Sequence, residues 1–186
     1  MRTRRSLFTT SLIVGLSVAV LGGWLLSGSS DDDYILESTM GSIALNKVSE
    51  GQMLATVDVQ DVEENTVSTA TWLGERLVVN FWFSTCEPCR REFPVLVNAD
   101  ARTNTVRFIG VNLNDSADVA RTFMQTYGAN FDTFLDDNGN LTSAMGIATA
   151  PVTLLIDEGG VVRRQLTGEI TAEMLNAAIA EVFPGS

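Results

Sequence analysis

The chain of 186 residues contains no histidine. That absence removes Ser-His and Cys-His catalysis and takes away the commonest metal ligand. It also leaves haem without its usual protein ligand. Cysteine is nearly missing as well: there are two, Cys86 and Cys89, with Glu87 and Pro88 between them. A zinc site needs about four ligands, often two such pairs or one pair plus histidines, so this single pair builds none within one chain. Basic residues are scarce, 12 against 23 acidic ones, and the net charge is −11. Three of the basic residues, Arg2, Arg4 and Arg5, stand at the extreme N-terminus; the rest of the chain has nine against 23, a balance near −14. A body that acidic repels phosphate backbones, so no nucleic-acid partner is expected. No internal repeat, low-complexity tract, metal site or cofactor site is legible.

One long stretch lacks charge altogether. "LFTTSLIVGLSVAVLGGWLL", Leu7 to Leu26, holds about 20 residues, which at about 1.5 Å each match a bilayer core of about 30 Å. Arginines precede it and Asp31 to Asp33 follow, so the positive-inside rule puts the N-terminus in the cytoplasm and the remaining chain outside. Residues 1–6 then form a cytoplasmic basic tip, 7–26 a transmembrane anchor or signal segment, 27–41 a polar acidic linker, and 42–186 one domain. The run is longer than a usual secretory core, although "SGSS" (Ser27 to Ser30) offers a small-residue cleavage site and "TRRSLF" is an imperfect twin-arginine match. The reading favoured here is an uncleaved single-pass anchor, with secretion after cleavage as the alternative. Both deliver the domain to a disulfide-permissive space.

Beyond the linker, strand and helix patterns alternate. "TVDVQ" and "TVSTA" suggest a hairpin. "RLVVNFWF" (Arg76 to Phe83) is a continuous apolar run that fits a central strand buried on both faces. "EPCRREFPVLVNADA" has helical character, with Pro94 expected to kink it. "VRFIGVNL" reads as a strand, "DSADVARTFMQTYG" as a helix with Asp or Ser as caps, "DTFLDD" as a short strand and "LTSAMG" as a brief helix. "PVTLLID" and "VVRRQLTG" flank a hairpin turn, and Thr171 to Phe183 forms the last helix, with Met174, Ala177, Ala178 and Ile179 as its apolar stripe. The order predicts an α/β fold with a mixed sheet flanked by helices.

The two cysteines sit where a buried strand gives way to a helix. A stabilising disulfide gains by closing a long loop, and this loop is nearly the shortest available. Inert buried thiols do not suit such a junction in an oxidising compartment. A sulfur at a helix N-terminus meets unpaired N–H groups and the positive end of the dipole, both of which favour thiolate. Cys86 is thus the expected exposed nucleophile, and Cys89, one turn on, the buried partner that resolves a mixed disulfide. Pro88 fits the first helical turn, where its missing N–H costs nothing. Glu87 places a negative charge beside the thiols, which limits thiolate formation and biases the pair toward reducing chemistry.

Three segments taken together, "VVNFWFSTCEPCRREFP", "APVTLLID" and "TGEITAEML", resemble the ResA/TlpA branch of the thioredoxin-like family, and the likeness spans about Gly51 to Pro184. The resemblance implies a thioredoxin-like fold with an N-terminal β-hairpin, an inserted strand–helix unit between Val106 and Ala150, and a Cys86–Cys89 disulfide. It implies that Ala150–Pro151 is a cis-proline turn facing the cysteines. It also implies that Glu92 matches an acidic residue that tunes the thiols, although three residues after Cys89 it could equally be a solvated surface glutamate. The sequence departs from the pattern at Thr85, where the family usually has tryptophan, so the aromatic wall beside the disulfide is lost or moved.

The expected function is an extracytoplasmic thiol:disulfide oxidoreductase that reduces disulfides in exported proteins, apocytochrome c being the family's best-known substrate type, with a membrane electron donor regenerating the thiols. An oxidant of exported thiols uses the same scaffold. A binding or chaperone module is the alternative outside catalysis. A peroxidase of the peroxiredoxin type needs a different arrangement ahead of its cysteine than "FSTCEPC" supplies.

Overall fold

The computed structural model describes residues 45–185, so the expected anchor and linker lie outside the described residues. Among those described, no helix is long and apolar enough to cross a membrane.

The strands are β1 (Asp58–Asp61), β2 (Thr66–Ser68), β3 (Leu77–Trp82), β4 (Arg107–Asn112), β5 (Asp132–Leu135), β6 (Val152–Ile156) and β7 (Val162–Thr167). The helices are α1 (Glu87–Asp100), α2 (Ala117–Tyr127), α3 (Asn140–Met145) and α4 (Ala172–Val182). One seven-stranded sheet runs in the order β2-β1-β5-β4-β3-β6-β7. β3 lies parallel to β4 and antiparallel to β6, and every one of its six residues is buried. This is the environment that an unbroken apolar, β-branched and aromatic run demands. The sheet is therefore mixed, as expected, and the hairpin of β1 and β2 forms, although β2 is cut short by a 3-10 turn at Thr69–Trp72.

Alternation along the strands separates two cores. Leu77, Val79 and Phe81 of β3 point to the side covered by α3, where they meet Ile109, Val111, Leu154, Leu141 and Met145. Val78 and Trp82 point to the other side and pack with Phe93, Phe123, Leu175 and Ala178 from α1, α2 and α4. On that second side one level of the sheet is not apolar. Registers pair Asn80 with Gly110 and with Thr153, and Gly110 with Thr133, so a polar row crosses four strands under α1.

Gly110 keeps this row closed. A Cβ added there would lie 2.8 Å from Thr133 Oγ1 and 2.9 Å from the Trp82 indole nitrogen. Both neighbours are buried, so neither can swing away into solvent. Gly110→Ala is expected to cost about 1–3 kcal/mol in urea unfolding, the usual penalty for overpacking a filled core.

α1 runs through Pro94 to Asp100, so the proline does not end it. One local expectation needs correction. The buried residues of α4 are Leu175 and Ala178, with Ile179 half-buried, while Met174 and Ala177 are exposed. The apolar stripe is thus shifted by one position at its start. The last helix starts at Ala172, and Thr171 caps it by accepting from the Met174 N–H at 3.3 Å.

Candidate active site

β3 ends at Trp82, and the next three residues turn the chain into α1. The turn closes when the Cys86 N–H donates to the Phe83 carbonyl at 3.1 Å. Asp115 holds it from outside. Its carboxylate accepts from the Ser84 N–H at 2.6 Å and from the Ser84 hydroxyl at 2.7 Å. Asn112, at the end of β4, fixes that carboxylate in turn through its Nδ2 at 2.8 Å. Asp115 was expected as a helix cap. It spends its oxygens on the cysteine loop instead, and Ser116 occupies the cap position of α2 with no side-chain bond.

Cys86 is the N-cap of α1, and its Sγ accepts from the Cys89 N–H at 3.2 Å. The two sulfurs form a disulfide, with an S–S distance of 2.06 Å. Cys86, expected to be exposed, is buried at 5% exposure because it packs into the core that holds Trp82, Cys89 and Phe93; Cys89 is fully buried, as expected. Pro88 lies in the first turn, and exposed Glu87 forms an i,i+4 ion pair with Arg91 at 3.7 Å. The Ala150–Pro151 peptide is cis, and Pro151 is buried. Because Val152 pairs antiparallel with Phe81, this peptide stands beside the end of β3 from which the cysteine loop departs, and Ala150 packs on the core that holds both cysteines.

Glu92 is the site's buried charge. It is 1% exposed, which rules out a solvated surface glutamate. One carboxylate oxygen accepts from Asn80 Nδ2 at 2.8 Å and the other from the Ile170 N–H at 3.0 Å. Asn80 Nδ2 also donates to the Thr153 hydroxyl at 3.0 Å. Burial drives the Glu92 pKa from 4.5 up to about 7, against the lowering effect of the two hydrogen bonds and with the nearby Glu169 charge adding to the rise. Glu169 is itself clamped by Arg91 at 2.6 Å.

The sequence-predicted residues are thus brought together: Cys86, Glu87, Pro88, Cys89 and Glu92 on one helix, with Pro151 at the adjoining strand end. Asn80 and Thr153 join the site without a place in the sequence expectations, and Asp115 joins it in a role other than the expected cap. Asn80 and Thr153 carried a signal, since each is a lone polar residue inside an apolar strand and needs a partner when buried. On the other side of the loop, Thr85 shares a recess with Phe123 and Tyr127 of α2, so aromatic groups stand beside the residue that precedes Cys86.

A model of the Redoxin family matches residues 49–180. The chain belongs to the Redoxin family. It is similar to the thiol-disulfide oxidoreductase ResA of Bacillus subtilis, 29% identical over 140 residues, covering 74% of this chain and 78% of that one. It is similar to ResA of Bacillus cereus at 26% identity over 186 residues, 99% of this chain and all of that one. Among solved structures it resembles StoA from Bacillus subtilis, with a TM-score of 0.56, 28% identity, and coverage of 67% of this chain and 96% of that one. A putative DsbE from Chlorobium tepidum shares the fold at a TM-score of 0.64 and 23% identity, covering 73% and 97%. The resemblance expected from the CEPC segment and its companions therefore holds: this redoxin is a ResA-like thiol-disulfide oxidoreductase.

Proposed function

We propose that this redoxin reduces disulfides in proteins exported across a membrane. The observation that carries the reading is the pairing of a strand-end disulfide with a buried carboxylate one helical turn below it. In the reduced protein, the Cys86 thiolate attacks a substrate disulfide. A Cys86–substrate mixed disulfide forms and one substrate thiolate leaves. The Cys89 thiolate then attacks the Cys86 sulfur, closing the internal disulfide and releasing the second substrate thiol. Two electrons pass to the substrate. Cys86 is the more accessible sulfur and caps the helix, where unpaired N–H groups and the dipole favour its thiolate.

Cys89 must lose a proton inside the protein, and Glu92 is the acceptor proposed for it. Three residues apart on a helix, the two share a buried face. An ionised carboxylate there also opposes thiolate formation, which destabilises the dithiol and favours its oxidation by substrate. That supports the reducing direction. Pro151, Glu87 and Pro88 are proposed to shape the approach to the sulfurs.

The proposed setting is the outer face of a membrane, with Leu7 to Leu26 as the single-pass anchor, and it rests on the charge-free length of that segment and its arginine flank. Exported proteins with disulfides are the proposed substrates, apocytochrome c among them, and a membrane electron donor is proposed to restore the dithiol. The deciding experiment is the reduction potential of the Cys86–Cys89 couple by equilibration with glutathione or dithiothreitol. A value near or below about −220 mV is expected; a value near about −120 mV would make the protein an oxidant of exported thiols instead.

A further inference from the structure

Beside the redox loop, between the start of α1 and the outer side of α2, lies a recess of about 460 Å³. Its walls bracket the reactive cysteine along the chain. Ser84 and Thr85 come immediately before Cys86, and Arg90, whose N–H donates to the Cys86 carbonyl, follows it by one helical turn. The far wall is Val119, Phe123 and Tyr127 of α2. The Asp115 clamp on Ser84 holds the near wall in place.

The surface of this recess is more apolar than its composition suggests. Thr122 donates its hydroxyl to the Asp118 carbonyl at 2.8 Å, and Thr126 donates to the Thr122 carbonyl at 2.8 Å. Both hydroxyls are thereby turned back onto their own helix, which leaves methyl groups for the recess. Asp118, also at its edge, is paired with Arg121 at 2.8 Å. The Phe123 and Tyr127 rings meet at 4.6 Å between centroids, tilted by 39°, and Val119 is 43% exposed. An apolar hollow of this volume is in the range that holds a side chain or small ligand. Cys86 itself does not line it, but the two residues before Cys86 and the one a turn after it do, and that adjacency to the reacting cysteine says which occupant it takes.

We propose that this recess seats an apolar or aromatic side chain next to the cysteine of the polypeptide whose disulfide is exchanged, so that the protein selects substrates by the residue flanking the reacting sulfur. The proposal rests on the thiol–disulfide exchange reading. It makes Thr85, Val119, Phe123 and Tyr127 specificity-determining groups.

The test uses the full chain, reduced beforehand, and two short peptides that each form a disulfide-linked dimer. The peptides are identical except for Phe or Gly beside the cysteine. One reduced protein converts one peptide dimer to two thiols and ends as the Cys86–Cys89 disulfide, so the second-order rate is read from peptide thiol released. The Phe peptide is expected to react about tenfold faster, the discrimination that an apolar pocket gives for a modest side-chain difference. Thr126→Trp, which fills the recess from an exposed position, is expected to bring the ratio of the two rates close to one. Thr122→Trp fills it from the neighbouring turn and serves if the first variant does not fold. Equal rates in the unaltered protein overturn the recess while leaving exchange intact. A tenfold ratio that survives filling overturns this location. Reduction of neither peptide overturns the exchange chemistry itself.

Discussion

Replacing Cys89 with serine is expected to leave a protein that begins each exchange and finishes none. Cys86 keeps its place as the helix N-cap and is the less buried of the two cysteines, so it can still attack a disulfide. The second attack needs a thiol one turn away, and the structure brings Cys89, fully buried, into bonding contact at that point. Serine offers no sulfur, so the mixed disulfide accumulates. Turnover with a peptide or protein disulfide should fall to background, and the adduct should be visible by mass as one substrate chain per protein. Cys86→Ser should show neither turnover nor adduct. If Cys86→Ser formed the adduct and Cys89→Ser did not, the roles of the two sulfurs would be reversed. The oxidised fold loses little in either variant, because the bond closes a loop across a sequence separation of only 3.

The second large effect is expected at Glu92. Its carboxyl has an ordinary value of 4.5 and is raised to about 7 in the fold, chiefly by burial. A raised acid means that the folded state holds the proton more tightly than the unfolded chain does. Below about pH 4.5 both states are protonated and Glu92 costs nothing. Between about 4.5 and 7 the unfolded chain ionises while the folded one resists, so stability falls as pH rises. Above about 7 the loss is complete, and the shift corresponds to about 3 kcal/mol at 1.36 kcal/mol per unit. Glu92→Gln removes this slope. The variant should be more stable than the unaltered protein at pH 8 by about 1–3 kcal/mol and gain nothing at pH 4, as read by urea unfolding of the oxidised forms. A difference that stays constant from pH 4 to pH 8 would sink the assignment of that slope to Glu92.

The hydrogen-bond pattern points the same way. Asn80 Oδ1 is buried without a partner, while Asn80 Nδ2 serves both Glu92 and Thr153. An amide at position 92 can keep the bond from Asn80 Nδ2 or the one from the Ile170 N–H through its own oxygen, and it buries no charge. Activity should move the opposite way from stability. If Glu92 takes the proton of Cys89, Glu92→Gln slows release of the mixed disulfide by about 100-fold, the lower end of what a positioned base contributes. A more stable and slower protein is the joint signature. Equal turnover in both proteins would remove Glu92 from proton transfer while leaving its effect on stability.

The chain's own pattern disclosed the strands most clearly. Six buried residues in a row at β3 and the apolar run of β6 have no other place in a domain of this size than the middle of a sheet. The cysteine pair was legible because chemistry and position coincided at a strand-to-helix junction. The burial of Glu92 was not, since spacing on α1 fixes only which residues share a face. What covers that face comes from Asn80 and from the Ile170 N–H, the latter 78 residues away in the chain. The Asp115 clamp spans 31 residues for the same reason and was mistaken for a local cap. On α4, alanines and apolar residues follow one another so closely that the pattern offers little contrast, and the stripe was read one position early.

The two margins of the sheet have a consequence for crowded conditions. A strand at a margin offers unpaired N–H and C=O groups, on which another copy can build. Here β2 at one margin has three residues, too few to template much. At the other, β7 carries Arg163 and Arg164 exposed, and the chain ahead of β1 is laid along its start: the Gly51 N–H donates to the Val162 carbonyl, the Val162 N–H donates to the Gln52 carbonyl, and Met53 bridges to Val161. Copies crowded side by side therefore meet short, charged or already occupied margins, which offer little template for fibre-like growth of the sheet.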